Sequence, residues 1–88
     1  MRKETYGLIT FKSTSHALQG EQVLKDRNFV FKTIPTPRDV STSCGLSLLF
    51  LEEDIDRIKE LIEEGLISID GLYRYIKSSE GSRAEKIL

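Results

Sequence analysis

The chain has only two prolines, Pro35 and Pro37, and a single residue separates them. Each fixes φ and removes a backbone donor, so neither a helix nor a central strand continues through the pair. They open the stretch Ile34-Pro35-Thr36-Pro37-Arg38-Asp39-Val40-Ser41-Thr42-Ser43-Cys44-Gly45, the densest run of small, polar and backbone-restricting residues in the protein. On either side lie apolar runs, Phe29-Val30-Phe31-Lys32-Thr33-Ile34 and Leu46-Ser47-Leu48-Leu49-Phe50. The break divides them into two strands joined by a loop of about ten residues, long for a hairpin in a small domain, and such loops often carry function.

The remaining elements follow from pattern and punctuation. Tyr6 to Phe11 is short, aromatic and β-branched, which predicts a strand. Lys12 to Ser15 supplies turn and N-cap residues. A helix is expected from about His16 to Arg27, with Ala17, Gly20 and Leu24 on its buried side, Leu18 and Val23 widening that stripe, and Asn28 as its end. Acidic Glu52, Glu53 and Asp54 stand where a second helix should begin, at the end its macrodipole favours. Ile55, Ile58, Leu61 and Ile62 recur at helical spacing, and Gly65 is placed to terminate it. A last strand falls within Ile67 to Ile76, with Asp70-Gly71 interrupting it. The order β-α-β-β-α-β predicts an α+β ferredoxin-like domain, a four-stranded antiparallel sheet with two helices on one face. Residues 1–77 form this single domain, and 78–88 read as a polar, frayed C-terminal tail.

Composition narrows the function. The 88 residues include 13 basic and 14 acidic side chains, a net charge of -1, which argues against nucleic-acid binding. No apolar run approaches the roughly 20 residues of a membrane span. Met1-Arg2-Lys3-Glu4-Thr5 lacks the apolar stretch of a signal peptide, so a cytoplasmic location is expected. One cysteine forms no internal disulfide and supports no internal dithiol cycle. With one histidine it also falls short of the about four ligands of a zinc site. No metal and no cofactor are expected.

Cys44 is that single cysteine. Structural cysteines usually sit in apolar runs. Cys44 instead follows Ser41, Thr42 and Ser43, precedes Gly45, and lies downstream of Arg38, the surroundings of a reactive or anion-adjacent thiol. Arg38 is the nearest cation, the hydroxyls are donors, and the Gly45 amide is open to close approach. Together they suit a thiolate, a persulfide or a bound oxyanion. Pro35 and Pro37 flank Thr36 and make a stiff platform for Arg38. The competing reading is that Cys44 starts the third strand and packs inward, and the residues alone leave both open. His16 stands at the predicted start of the first helix, where the dipole favours its neutral form. It is either a base toward Cys44 or a half-exposed first-turn residue. A tyrosine-phosphatase arrangement is excluded, because a strand rather than a phosphate loop and arginine follows Cys44. The acidic residues of the second helix read as a solvated face, and Tyr6, Tyr73 and Tyr75 as structural.

The segments Ile34 to Arg38 and Ser41 to Leu46, together with Ile9 to Leu18 and the Phe50, Glu53 and Asp54 positions, resemble a bacterial family labelled selenium/sulfur carrier protein-like. The likeness covers roughly Tyr6 to Tyr75. The same domain type forms the C-terminal part of some selenium-metabolism proteins whose N-terminal part is sulfurtransferase-like. The resemblance implies that Thr36, Pro37, Arg38, Ser41, Ser43, Cys44 and Gly45 are signature positions, with His16 a further one. It implies a carrier or accessory protein rather than a stand-alone enzyme. Cys44 would hold sulfur or selenium as a persulfide or selenosulfide, received from a donor such as a cysteine desulfurase and passed to an acceptor. The alternative is a small-anion-binding or protein-interaction module, docking or forming a homodimer through the sheet, in which Cys44 is structural or senses oxidants.

Overall fold

The computed structural model describes residues 4–38, 40 and 45–88. The chain runs β1 (Glu4–Thr10), α1 (Thr14–Asp26), β2 (Phe31–Pro35), β3 (Leu46–Leu51), a 3-10 turn (Glu52–Asp54), α2 (Ile55–Glu63), β4 (Gly71–Ser78) and β5 (Gly81–Lys86). One sheet of order β2-β3-β1-β4-β5 holds all these strands, and every neighbouring pair is antiparallel.

The expectation of a four-stranded ferredoxin-like sheet is therefore corrected: the sheet has five strands. The fifth comes from the segment expected as a tail. Gly81, at φ 135, turns the chain after β4, and β5 then pairs from Ser78↔Gly81 to Tyr73↔Lys86. Its sequence, Gly-Ser-Arg-Ala-Glu-Lys, has no apolar run, because an edge strand needs little burial. Only Ala84 of β5 is half-buried. Asp70-Gly71 does not interrupt β4 but precedes and opens it. Pro35 does not stop β2 but is its last residue, paired with Leu46. This is tolerable because β2 is an edge strand and needs no outward donor there.

Each helix begins and ends where its chemistry allows. Ser13 caps α1, its Oγ accepting from the His16 N–H at 3.3 Å. At the far end Asn28 adopts φ 61. The Phe29 N–H donates to Leu24 O and the Asn28 N–H to Lys25 O, a Schellman closure. Gly65, at φ 79, ends α2 in the same way, with Leu66 bonded to Leu61 and Gly65 to Ile62. Of α1, Ala17, Gly20 and Leu24 are buried. Leu18 is 58% exposed and does not join that stripe, since it lies one residue beyond the turn that faces the sheet. Gly20 lets α1 sit close, because the Phe11 ring occupies the space a side chain there would need.

Strand alternation sorts the sheet into two faces. Ile9, Leu48, Phe50 and Leu72 meet Ala17 and Leu24 of α1 and Ile55, Ile58 and Leu61 of α2 in the main core. On the opposite face Leu8 and Tyr75 form a smaller cluster, with Leu49, Tyr73 and Ile34 beside them. Neither α1 nor α2 covers that second cluster, since both pack on the main core. Its buried lid is Val40, from the connection between β2 and β3.

Candidate functional site

β1 and β2 end, and β3 and β4 begin, at the same end of the sheet, as the pairs Thr10↔Ser47, Thr10↔Gly71 and Pro35↔Leu46 show. The β2–β3 connection rises from this end. Its neck is closed by the Thr36 N–H, which donates to Gly45 O at 2.9 Å and continues the ladder one pair beyond Pro35↔Leu46. A second tie lies beneath the first: the Thr36 and Ser47 hydroxyls are 2.8 Å apart. Ser47 is fully buried, so its hydroxyl would cost stability without that partner. Its ladder partner Thr10 is also fully buried, and the Thr10 hydroxyl donates to Gly71 O at 3.4 Å. A row of hydroxyls, Thr36, Ser47 and Thr10, thus underlies the neck of the loop.

Further along, the Val40 N–H donates to Pro37 O at 3.1 Å, which folds the chain back just after Arg38. Val40 is 6% exposed and packs with Leu8 and Tyr75. The connection is therefore fixed at two places, by hydrogen bonds at its neck and by an apolar side chain on the sheet. Arg38 and Gly45 are exposed, while Thr36 and Pro37 are half-buried. The guanidinium of Arg38 and the backbone of Gly45 face solvent on a framework whose ends are held.

The residues expected from the sequence divide accordingly. Thr36, Pro37, Arg38 and Gly45 are brought together on this connection, with Thr36 and Gly45 directly bonded. Ser41, Thr42, Ser43 and Cys44 lie outside the described residues. His16 is half-buried in the first turn of α1, and its Nδ1 is 3.2 Å from the Ser13 hydroxyl. That contact ties it to its own helix cap, on the helical side of the sheet, whereas Val40 lies on the other face. A groove lined by Arg27, Phe29, Arg57 and Glu60 is formed at the far end of α1, beside α2. The Arg57 guanidinium there stacks over the Phe29 ring, 4.6 Å from its centroid. Among the described ionisable groups Tyr6 stands out: its hydroxyl donates to Glu4 Oε2 at 2.8 Å, and that bond raises its pKa above the ordinary value.

Sequence reasoning does not single out Thr10, Ser47 or Val40. Two of them carry a signal. Ser47 is a hydroxyl inside the apolar run Leu46 to Phe50, and Val40 is the only aliphatic residue between Pro35 and Leu46.

Comparison with known proteins adds one positive finding. A family model described as "Putative Se/S carrier protein-like" matches residues 6–74. That span runs from β1 into β4 and takes in the whole β2–β3 connection. No curated protein and no solved structure matches the chain.

Proposed function

Because the chain belongs to the Se/S carrier protein-like family, we propose that it carries sulfur or selenium between partner proteins as a persulfide or selenosulfide on Cys44. The observation that supports this reading most is the doubly fixed neck of the β2–β3 connection. The residue immediately after Cys44, Gly45, is bonded to Thr36 and exposed. This holds the residue that follows Cys44 in sequence at the end of the sheet where β2 ends and β3 begins.

The chemistry is a transfer of sulfane sulfur. The Cys44 thiolate attacks the terminal sulfur of a donor persulfide. A bond forms between Cys44 Sγ and that sulfur as the donor's own S–S bond breaks. The donor leaves as a thiolate, and no external oxidant or reductant is needed. Discharge repeats the step in reverse roles: an acceptor nucleophile takes the terminal sulfur, and Cys44 departs as thiolate. The selenium reaction has the same balance, with a selenosulfide in place of the persulfide. Exposed Arg38 offers positive charge to the anionic forms, and the Gly45 amide and neighbouring hydroxyls offer donors. With one cysteine in the chain, no second thiol is available to discharge the cargo internally. A cysteine desulfurase is the donor class that presents a persulfide of this kind.

Accessibility of the thiol separates this reading from a structural cysteine. Native protein treated with iodoacetamide is expected to alkylate Cys44 at a rate similar to or above that of free cysteine, and more slowly in Arg38→Ala. Alkylation that is orders of magnitude slower than free cysteine, recovering only in denaturant, would place the thiol in the core and end the carrier reading.

A further inference from the structure

Toward the end of the sheet where β1 and β2 begin, the face opposite the helices carries a surface of specific composition. Cross-strand register sets its side chains in rows. One row runs Lys32, Leu49, Leu8, Tyr73, Lys86 across all five strands, with exposed lysines at both edges. The next joins Leu51, Tyr6 and Tyr75. A third pairs Lys77 with Glu4. Val40 covers Leu8 and Tyr75 but leaves Tyr6, Leu49 and Leu51 half-buried. Those three floor a cleft of about 260 Å³, with Lys32 and Lys77 at its sides and Val30 at its rim. Val30 is 64% exposed, the highest value among the large apolar side chains described.

The charge on the other side is opposite. Glu53, Asp56, Glu60, Glu63 and Glu64 on and around α2 are exposed or half-buried at the surface. Among the described residues carboxylates thus outnumber Arg57 and Lys59 over α2, whereas lysines rim the open sheet. Among the described strand residues Glu4 is the carboxylate on the lysine-rimmed face, and its side chain accepts from the Tyr6 hydroxyl.

We propose that this cleft docks an acidic segment of a partner protein that inserts one apolar side chain between Lys32 and Lys77. An apolar floor with a cationic rim gives such a segment both burial and steering. The acidic helix of a second copy is a poorer occupant. Sheet face on α2 is a head-to-tail contact, which propagates into open chains unless its rotation closes a ring. The inference makes no use of Cys44 and stands or falls apart from the carrier reading.

The test is an amide-shift titration of the full chain with the blocked pentapeptide Asp-Glu-Leu-Glu-Asp. Shifts are expected at Tyr6, Phe31, Leu49 and Leu51, weakening as salt is raised. The double reversal K32E/K77E should weaken binding at least about tenfold, because like charges are then set against the peptide. The reversal K25E/K59E, on the two helices, should leave it within about twofold, as those charges lie off the cleft. No saturable shifts at millimolar peptide, shifts centred on the Arg27 and Arg57 groove, or indifference to K32E/K77E would each overturn the proposal. So would peptide-free self-association in sedimentation that K32E/K77E abolishes, since the occupant would then be a second copy.

Discussion

Three side chains hold the β2–β3 connection to the sheet, by hydrogen bonding at one point and apolar burial at another. Thr36 and Ser47 share a hydroxyl bond over a fully buried floor, and Val40 buries its methyls against Leu8 and Tyr75. Ser47→Ala should cost about 1 kcal/mol, the net worth of one such bond. Val40→Ala should cost about 1.5 kcal/mol for the apolar groups lost. Urea denaturation measures both, and both variants should speed amide exchange at Thr36. Gly7 shows packing at its tightest: the Phe50 ring fills the place of any side chain there, and Phe50 is 2% exposed. Gly7→Ala should lose about 1–3 kcal/mol by overpacking, with the shift in urea midpoint as readout. Much of this is hidden in the sequence. A hydroxyl in an apolar run marks Ser47 as unusual without naming its partner, which is a contact across the β2–β3 connection.

At the scale of elements, burial decides how much a sequence reveals. β1, β3 and α2 bury apolar residues at periods of 2 or 3.6, and their segments are evident from those patterns. The terminators Asn28 and Gly65 are evident too, because positive φ restricts residue choice. β5 is not, because it has one half-buried side chain and spends most of its residues on solvent. Its role is to shield the edge of β4, and Ile87, just beyond it, packs against the main core. The Ile87 N–H also donates to Leu72 O at 2.7 Å. Truncation after Ser78 is therefore expected to lower the melting temperature by several degrees or more, as a ΔΔG of 1 kcal/mol moves a domain of this size by about 4–8 °C. It should also expose a β4 edge prone to pairing, visible as concentration-dependent association in sedimentation. An unchanged melting temperature would mean that the segment beyond Ser78 behaves as a tail after all.

Across the whole molecule, the β2–β3 connection and the lysine-rimmed cleft take different ends of the sheet. The connection that carries Cys44 in its sequence leaves the sheet at the end where Thr10, Pro35 and Gly71 meet, while the lysine-rimmed cleft lies toward the other end. The family match spans Tyr6 to Arg74 and so takes in the connection and most of the cleft. The loop's length, its prolines and the lone cysteine are legible in the sequence alone. That Val40 folds the loop onto the open sheet is not, since this depends on a face created only when the strands align. Intact-mass measurement after incubation with a cysteine desulfurase and cysteine tests the carrier account most directly. The account predicts a gain of one sulfur atom on the wild-type chain, absent in Cys44→Ser and lost again when an acceptor thiol is added. A chain that gains no sulfur, or whose gain survives Cys44→Ser, would contradict it.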